Sequence, residues 1–410
     1  MDLSSGLKSL FLMIMEDWKI FLCLTILSSL YLYYTSTFNF FEKRGIPYRK
    51  PVIFVGNLGP RLRGKQSFHE FQLEVYNYFK GNRFGGIFEG RRPLLTILDP
   101  DLIKAITIRD FDHFTDRMAM NAKEPKFWSR SLLNLKGSEW KAVRSTLTPV
   151  FSSSRLRNML PLIELCSKQM VQFLHQYDKK DVEMKQTIGH FTLEVAEKFD
   201  YMPMHKRIML YFILIFLPQL IRYLNFSFLN LESSKELVTI LKVAKDERQK
   251  SGVKKNDFLQ ILVDFSENER TESEKTKSTV LSRVDRVCTK PYNLPGTNVV
   301  IKPGEVVAIP LYGIQMDPEY YPEPKEFKPE RFLNENKNER PSHLYMAFGV
   351  GPRNCIGLRF AMLSAKLAMV DLVKKFRFSA CDKTEDPIQF DRRSLLLKAR
   401  GGLWVRVEAI

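Results

Sequence analysis

The feature that most narrows the fold of this chain is Phe348-Gly349-Val350-Gly351-Pro352-Arg353-Asn354-Cys355-Ile356-Gly357, a glycine-rich loop that delivers one cysteine to the start of a helical stretch. Downstream, Phe360, Leu363, Leu367 and Val370 recur at three- and four-residue spacing, which predicts an amphipathic helix from Leu358 to Lys375. Cys355 then stands at a helix N-terminus, a location that in general favours thiolate over thiol. A thiolate is a good ligand for iron. Gly349, Gly351 and Gly357 let the backbone turn tightly and approach a flat ligand, and Arg353 sets a fixed positive charge two residues before the sulfur. The plain alternative for a lone cysteine is a small buried hydrophobe.

A chain of 410 residues with 44% hydrophobic content buries a large core as one big domain or two, which excludes a disordered protein. The five cysteines, Cys23, Cys166, Cys288, Cys355 and Cys381, show no paired spacing. This argues against a disulfide framework or a zinc site and for a reducing compartment. The net charge of +17 suits an anionic membrane surface or an acidic protein partner. Nucleic acid ranks last among the partners and none is expected, because the charges are spread along the chain rather than clustered with aromatics in one module.

The run Ile20 to Tyr34 is apolar and uncharged, and the low-charge stretch continues to Phe41, long enough to span a bilayer. Lys43, Arg44, Arg49 and Lys50 follow it, against Glu16, Asp17 and Lys19 before it, so the C-terminal side is expected in the cytosol. Residues 1–41 are therefore predicted as an anchor, 42–60, with Pro47, Pro51 and Gly56, as a stiff hinge, and 61–410 as the main domain. Leu94 to Leu98 reads as a strand, and Asp99-Pro100 opens a helix containing Leu102, Ile103 and Ile106. Trp140 and Arg144, four apart, share one helix face. Ile208 to Leu229 is apolar but broken by Pro218 and Arg222, a poor spanning helix. Phe258 to Phe265 reads as a short apolar helix and Glu267 to Lys277 as a solvated loop. Leu395 to Leu397, Gly401-Gly402 and Leu403 to Val407 read as strand, turn and strand.

The Cys355 loop matches every fixed position of Phe-x-x-Gly-x-Arg-x-Cys-x-Gly and so resembles the haem-thiolate monooxygenases, the cytochrome P450 family of microsomal type. Trp140-x-x-x-Arg144, Arg286-Val287-Cys288, Val299 to Gly304, Val306 to Pro310 and Pro329-Glu330-Arg331-Phe332 extend the likeness, as does Phe111 to Arg117, which resembles the segment leading to the haem edge. The resemblance implies a mainly α fold with small β-sheets, one large domain behind an N-terminal transmembrane helix. It implies haem b, with Cys355 as the axial thiolate on iron, carried in a loop with Phe348, Gly349 and Gly357. Trp140, Arg144, Arg286 and Arg353 would hold the propionates, with Arg117 at the haem edge. Ile208 to Leu229 would dip into the bilayer surface beside a substrate entrance. The expected partners are the endoplasmic reticulum membrane, an NADPH-dependent flavoprotein reductase and a lipophilic small-molecule substrate that receives one oxygen atom from O2.

Two motifs of that family find no place here. The acid-threonine pair on the long helix over the haem and the Glu-x-x-Arg helix belong between Phe265 and Arg286, where only about twenty residues are available. At 1.5 Å of rise per residue, that cannot supply two helices and a return. Glu-x-x-Arg at Glu89 to Arg92 and at Glu267 to Arg270 matches by chance expectation. Internal deletions are thus predicted near 195–198, where Glu194 to Glu197 runs directly into Lys198 to Tyr201, and near 266–284. Arg331 would lose its acidic partner, at a cost of about 3–5 kcal/mol if buried unpaired. A truncated splice form or incomplete gene model, inactive but retaining the haem-ligand loop, is the alternative reading. A membrane protein that uses the residual fold only for association is the third.

Overall fold

Apolar residues at both faces of a strand require cover on both sides, and Val306-Val307-Ala308-Ile309 is such a run. It forms β7 (Val306–Ile309), buried at every position and central to a four-stranded sheet. The computed structural model describes residues 3–118, 131–185, 187–188, 282–333, 340–392, 394 and 397–410, with side chains from residue 18 onward. In that sheet β1 (Phe84–Glu89) and β2 (Arg92–Ile97) make an antiparallel hairpin. β2 runs parallel to β7, with Leu95 opposite Val307. On its other edge β7 pairs antiparallel with β4 (Val284–Val287), which sets Arg286 opposite Val307, while β5 (Tyr292–Asn293) and β6 (Val300–Ile301) make a small antiparallel pair of their own. Leu94, Ile97, Val307 and Ile309 join Phe71, Phe79, Phe88 and Ile103 in the main core.

The predicted helix after Asp99-Pro100 is present as Pro100–Lys104, capped by Asp99, whose carboxylate accepts the Leu102 N–H at 2.9 Å. Helix α1 (Leu3–Thr35) contains the apolar run, and from Trp18 to Thr35 it is long and apolar enough to cross a membrane. The chain after it docks rather than hanging free. Phe41 and Ile46 are buried in the core, the Arg49 N–H donates to Gly86 O at 2.9 Å, and on β1 Phe88 accepts the Asn57 N–H at its carbonyl and donates its own N–H to Asn57 Oδ1, both at 2.7 Å.

Helix α2 (Phe68–Phe79) packs on the main sheet and starts with a reciprocal cap. The Glu70 N–H donates to Ser67 Oγ at 3.2 Å, and the Ser67 N–H donates to Glu70 Oε2 at 2.7 Å. Ser67→Ala removes one half of that cap and should destabilise the fold by about 1 kcal/mol in a thermal melt. His69, in the first turn, is buried between the Tyr312 and Phe390 rings. Burial holds its imidazole below the ordinary value. The unfolded chain, with a histidine near 6.5, then takes up the proton first, so stability falls as pH drops through the window just below about 6.5. The slope from this group is at most about 1.4 kcal/mol per pH unit, and it should vanish in His69→Phe melts at pH 7.5 and 5.5.

Helices α3 (Gly137–Leu147), α4 (Ser153–His175) and α5 (Leu358–Lys375) form the second part of the described structure. The bounds of α5 are those the sequence predicts, but its buried face is rotated. Leu363 and Leu367 pack on Val150, Leu156, Met159 and Ile163, whereas Phe360 and Val370 are exposed and Ala368 and Leu372 are buried instead. The reason is the second sheet, β3 (Lys180–Glu183), β9 (Trp404–Ala409) and β8 (Phe376–Ser379), in the order β3-β9-β8. Its core residues Val182, Phe376 and Val407 draw Ala368 and Leu372 toward them. This sheet also corrects the C-terminal hairpin. β9 pairs with β8 and β3, and Leu397 lies outside any strand.

Arg331 is the second correction. It is half-buried, not stranded: its guanidinium donates to the backbone carbonyls of Lys328, Pro322, Glu323 and Glu326 at 2.8–3.2 Å. Four carbonyls supply the acceptors that a carboxylate was expected to provide. Glu89 to Arg92 is a hairpin corner, with Glu89 engaged by the buried Arg283, which bears out its dismissal as a helix motif. The five cysteines are free, and among the described residues no cluster of three or more metal-ligating side chains occurs. Ile208 to Leu229, Phe258 to Phe265, Glu267 to Lys277 and Glu194 to Tyr201 lie outside the described residues.

Candidate functional site

The loop before α5 is shaped by two glycines in the left-handed region, Gly349 at φ 75° and Gly351 at φ 69°. At Gly351 any side chain is impossible without movement, since a Cβ would lie 1.8 Å from the Thr107 carbonyl oxygen. This tight packing seats the loop on the segment 105–109. The Cys355 N–H donates to Phe348 O at 2.7 Å and the Asn354 N–H to Gly351 O at 3.0 Å, which closes the loop. Helix α5 starts three residues after Cys355, with Gly357 at its N-cap position and no side-chain cap. Cys355 is half-buried and free. Phe348, seven residues before it, is half-buried and contributes its carbonyl to the turn.

Arg144 and Arg117, from two other segments, grip this loop, Arg353 reaches out from within it, and Arg286 lies beside Arg117 and Arg353. Arg144, on α3, donates to Asn354 O and Asn354 Oδ1, both at 2.8 Å, so α3 grips the loop next to the cysteine. Arg117 donates to Arg353 O at 2.8 Å. It is placed by the run after Phe111, where Asp116 bridges Val287 and the Val287 N–H donates to Asp116 O at 2.8 Å. Arg353 is buried, with its guanidinium 4.1 Å from the centre of the Trp140 ring. It donates to the carbonyls of Thr115 at 2.9 Å, Leu132 at 3.2 Å and Leu135 at 2.7 Å. Three of its donors are thus spent on the protein, and Arg353 fastens two segments, around Thr115 and around Leu132 to Leu135, under the loop. Trp140 is buried with Phe111, Leu132, Leu135 and Leu147.

Arg286 differs from the other three. It is 1% exposed, yet among the described residues Nη1 donates only to Asp285 O at 2.9 Å, and Nε has no hydrogen-bond partner. Burial and the neighbouring Arg117 push its guanidinium down to about 9, against the opposing pull of Asp285. Arg353 is likewise pushed down to about 9, by burial and then by Arg117 and Arg286. Burial also lowers Arg117 and Arg144, while the Cys355 thiol acts on both in the opposite direction, as a negative sulfur close by would.

A buried Arg with an orphaned Nε among like charges is costly by itself and implies an anionic partner. A planar ligand with two carboxylates would meet it, and a thiolate would meet an iron at the centre of that plane. The residues fit such a group. Cys355, Phe348, Gly349, Gly357, Trp140, Arg144, Arg117, Arg286 and Arg353 are brought into one region, as their spacing in the chain alone does not require. The sequence reasoning missed Asn354, which receives Arg144 through its side chain, and Thr107, which leaves no room beside Gly351. Neither carries a sequence signal, because each acts through a contact with a distant segment.

Comparison with known proteins supplies the lineage. The cytochrome P450 family model matches residues 46–201 and 275–405, well over half of the chain. Cytochrome P450 9e2 of Blattella germanica is 29% identical over 92% of this chain and 95% of its own length. Cytochrome P450 3A6 of Oryctolagus cuniculus is 27% identical over 93% of this chain and 95% of its own. The glycine-seated cysteine loop, the ring of arginines and these matches converge on one lineage, and the chain belongs to the cytochrome P450 family.

Proposed function

We propose that this chain is a membrane-anchored haem-thiolate monooxygenase of the microsomal type, with Cys355 as the axial ligand of iron. Family members bind haem through a cysteine thiolate, and they are haem monooxygenases. The observation that carries the reading to this chain is the convergence of Arg117 and Arg144, from separate segments, on the loop that bears Arg353 and Cys355, with the buried Arg286 beside Arg117. Once bound, the haem iron supplies the activation of O2 for insertion of one oxygen atom into a lipophilic substrate. The protein's part is binding and orientation. Arg286 and Arg117 hold the carboxylates, Arg144 and Arg353 hold the loop that presents the sulfur, and Trp140 backs Arg353 with its ring. The basic chain, at +17, suits electron delivery by an NADPH-dependent flavoprotein reductase at the endoplasmic reticulum surface.

A second reading is favoured by the sequence and the comparisons: the cysteine loop is complete, and no acid-threonine motif of the kind carried by the family's long helix over the haem occurs in the sequence. The family match breaks between residues 201 and 275. The comparison with the cockroach protein runs over 507 positions against 410 residues here, so at least 97 of its positions (507 less 410) face no residue of this chain. On this reading the product is a truncated splice form or incomplete gene model that retains the haem-ligand loop, binds haem poorly and turns nothing over. Full-length chain loaded with haem, with the reductase and NADPH, separates the two. Oxygen- and NADPH-dependent oxidation of a lipophilic probe supports the monooxygenase, and poor haem binding with no product supports the truncated form.

A further inference from the structure

Arg144 reaches the cysteine loop through a single residue. Its Nη1 donates to Asn354 O and its Nη2 to Asn354 Oδ1, both at 2.8 Å, so the fork of the guanidinium closes on two oxygens of the residue directly before Cys355. The backbone oxygen would be there with any residue, but the second exists only because position 354 is an asparagine. A guanidinium donates and never accepts, so the amide presents Oδ1 to it rather than Nδ2. Together the two oxygens engage the fork as a carboxylate would, without adding a charge. The clamp consists of protein groups alone and needs no ligand to form.

Around the clamp, consecutive loop residues meet residues one helical turn apart on α3. The Arg353 guanidinium lies 4.1 Å from the centre of the Trp140 ring, and Asn354 takes Arg144. Helix α3 is itself fixed at its start, where the Gly137 N–H donates to Asp116 Oδ1 at 2.8 Å. It works as a splint along the stretch that joins the left-handed turns at Gly349 and Gly351 to Cys355. The clamp also leaves Arg144 something to offer. Its fork uses one hydrogen on each Nη, and among the described residues neither Nε nor the two remaining Nη hydrogens meet a protein acceptor. An anion can be held on that free edge while the fork stays on Asn354. Arg144 and Cys355 are near enough to act on one another electrostatically, so the guanidinium also bears on the charge of the sulfur.

We propose that the Asn354 side chain is a positioning residue of the haem-thiolate site: by holding the fork of Arg144 it ties Cys355 to α3 and leaves the other edge of that guanidinium free for a haem carboxylate. This role rests on the haem-thiolate reading above. The test compares the full chain, loaded with haem, with Asn354→Ala, which keeps only the backbone half of the clamp, and Asn354→Asp, which keeps both oxygens in the same shape. Haem loss to an excess of apomyoglobin, the thiolate-type band under carbon monoxide and the reduction potential are measured for each. Asn354→Ala should lose haem several-fold faster and show a smaller share of the thiolate band. Asn354→Asp should lose haem at the parental rate, with a lowered reduction potential, because a carboxylate beside the sulfur disfavours the added electron. Parental haem loss and band in Asn354→Ala overturn the role of Asn354 and leave the haem-thiolate reading standing. Faster loss in both variants alike also overturns it, since the aspartate keeps the acceptor. Should Asn354→Ala not fold, Asn354→Asp decides alone, and faster loss or an unmoved potential overturns the role. A parent chain that takes up no haem, or shows no thiolate band, overturns the haem-thiolate reading and this role with it.

Discussion

Cys355→Ala should lower haem affinity by more than about 100-fold, beyond the 10–100-fold typical of losing an outer partner of a metal ligand. The substitution removes the sulfur and little else. Cys355 is half-buried, and its backbone bond to Phe348 and the grip of Arg144 on Asn354 do not involve its side chain. The loop should therefore keep its shape, with circular dichroism and the melting temperature close to those of the parent chain. Titration of haem into both proteins measures the difference. An affinity within a factor of three of the parent would remove Cys355 from the site.

Arg286→Met should act in two opposite directions, which makes it a sharper probe than a simple loss. Without haem, Arg286 carries a buried charge with one backbone acceptor and an unpaired Nε, pressed by Arg117. Replacing such a group by an apolar one of similar length is expected to stabilise the chain by about 1–4 kcal/mol. With haem, a charge-assisted bond worth about 1.5–3 kcal/mol is lost, so affinity should fall roughly 10- to 150-fold. Thermal melts with and without haem read both effects. A variant that melts lower without haem and binds it unchanged would make Arg286 a structural cation and nothing more.

Much of this site was legible in the sequence because the chemistry is concentrated in short runs. The cysteine loop, the Trp140–Arg144 helix face and the strand bearing Arg286 each announce themselves within ten residues. What could not be read is how the arginines divide their labour. Beside the role expected of it at the carboxylates, Arg353 gives three of its donors to the carbonyls of Thr115, Leu132 and Leu135, positions more than two hundred residues away. Nothing local encodes that bond. The rotated buried face of α5 has the same origin, since the second sheet brings together segments near residues 180, 376 and 404, and tertiary packing outweighs helical periodicity. Arg331 shows the converse. Its motif predicts an acidic partner, but a guanidinium with five donors in a fixed fork is satisfied by any well-placed set of acceptors, and four carbonyls of its own loop provide them.

The central claim is that this chain binds haem through the Cys355 sulfur, and the reduced, carbon monoxide-bound absorption spectrum of the full chain loaded with haem tests it most directly. A thiolate-type Soret band, red-shifted from that of an imidazole-ligated haem and lost in Cys355→Ala, is the predicted result. A band of the imidazole type, the same in the parent and in Cys355→Ala, would contradict the account.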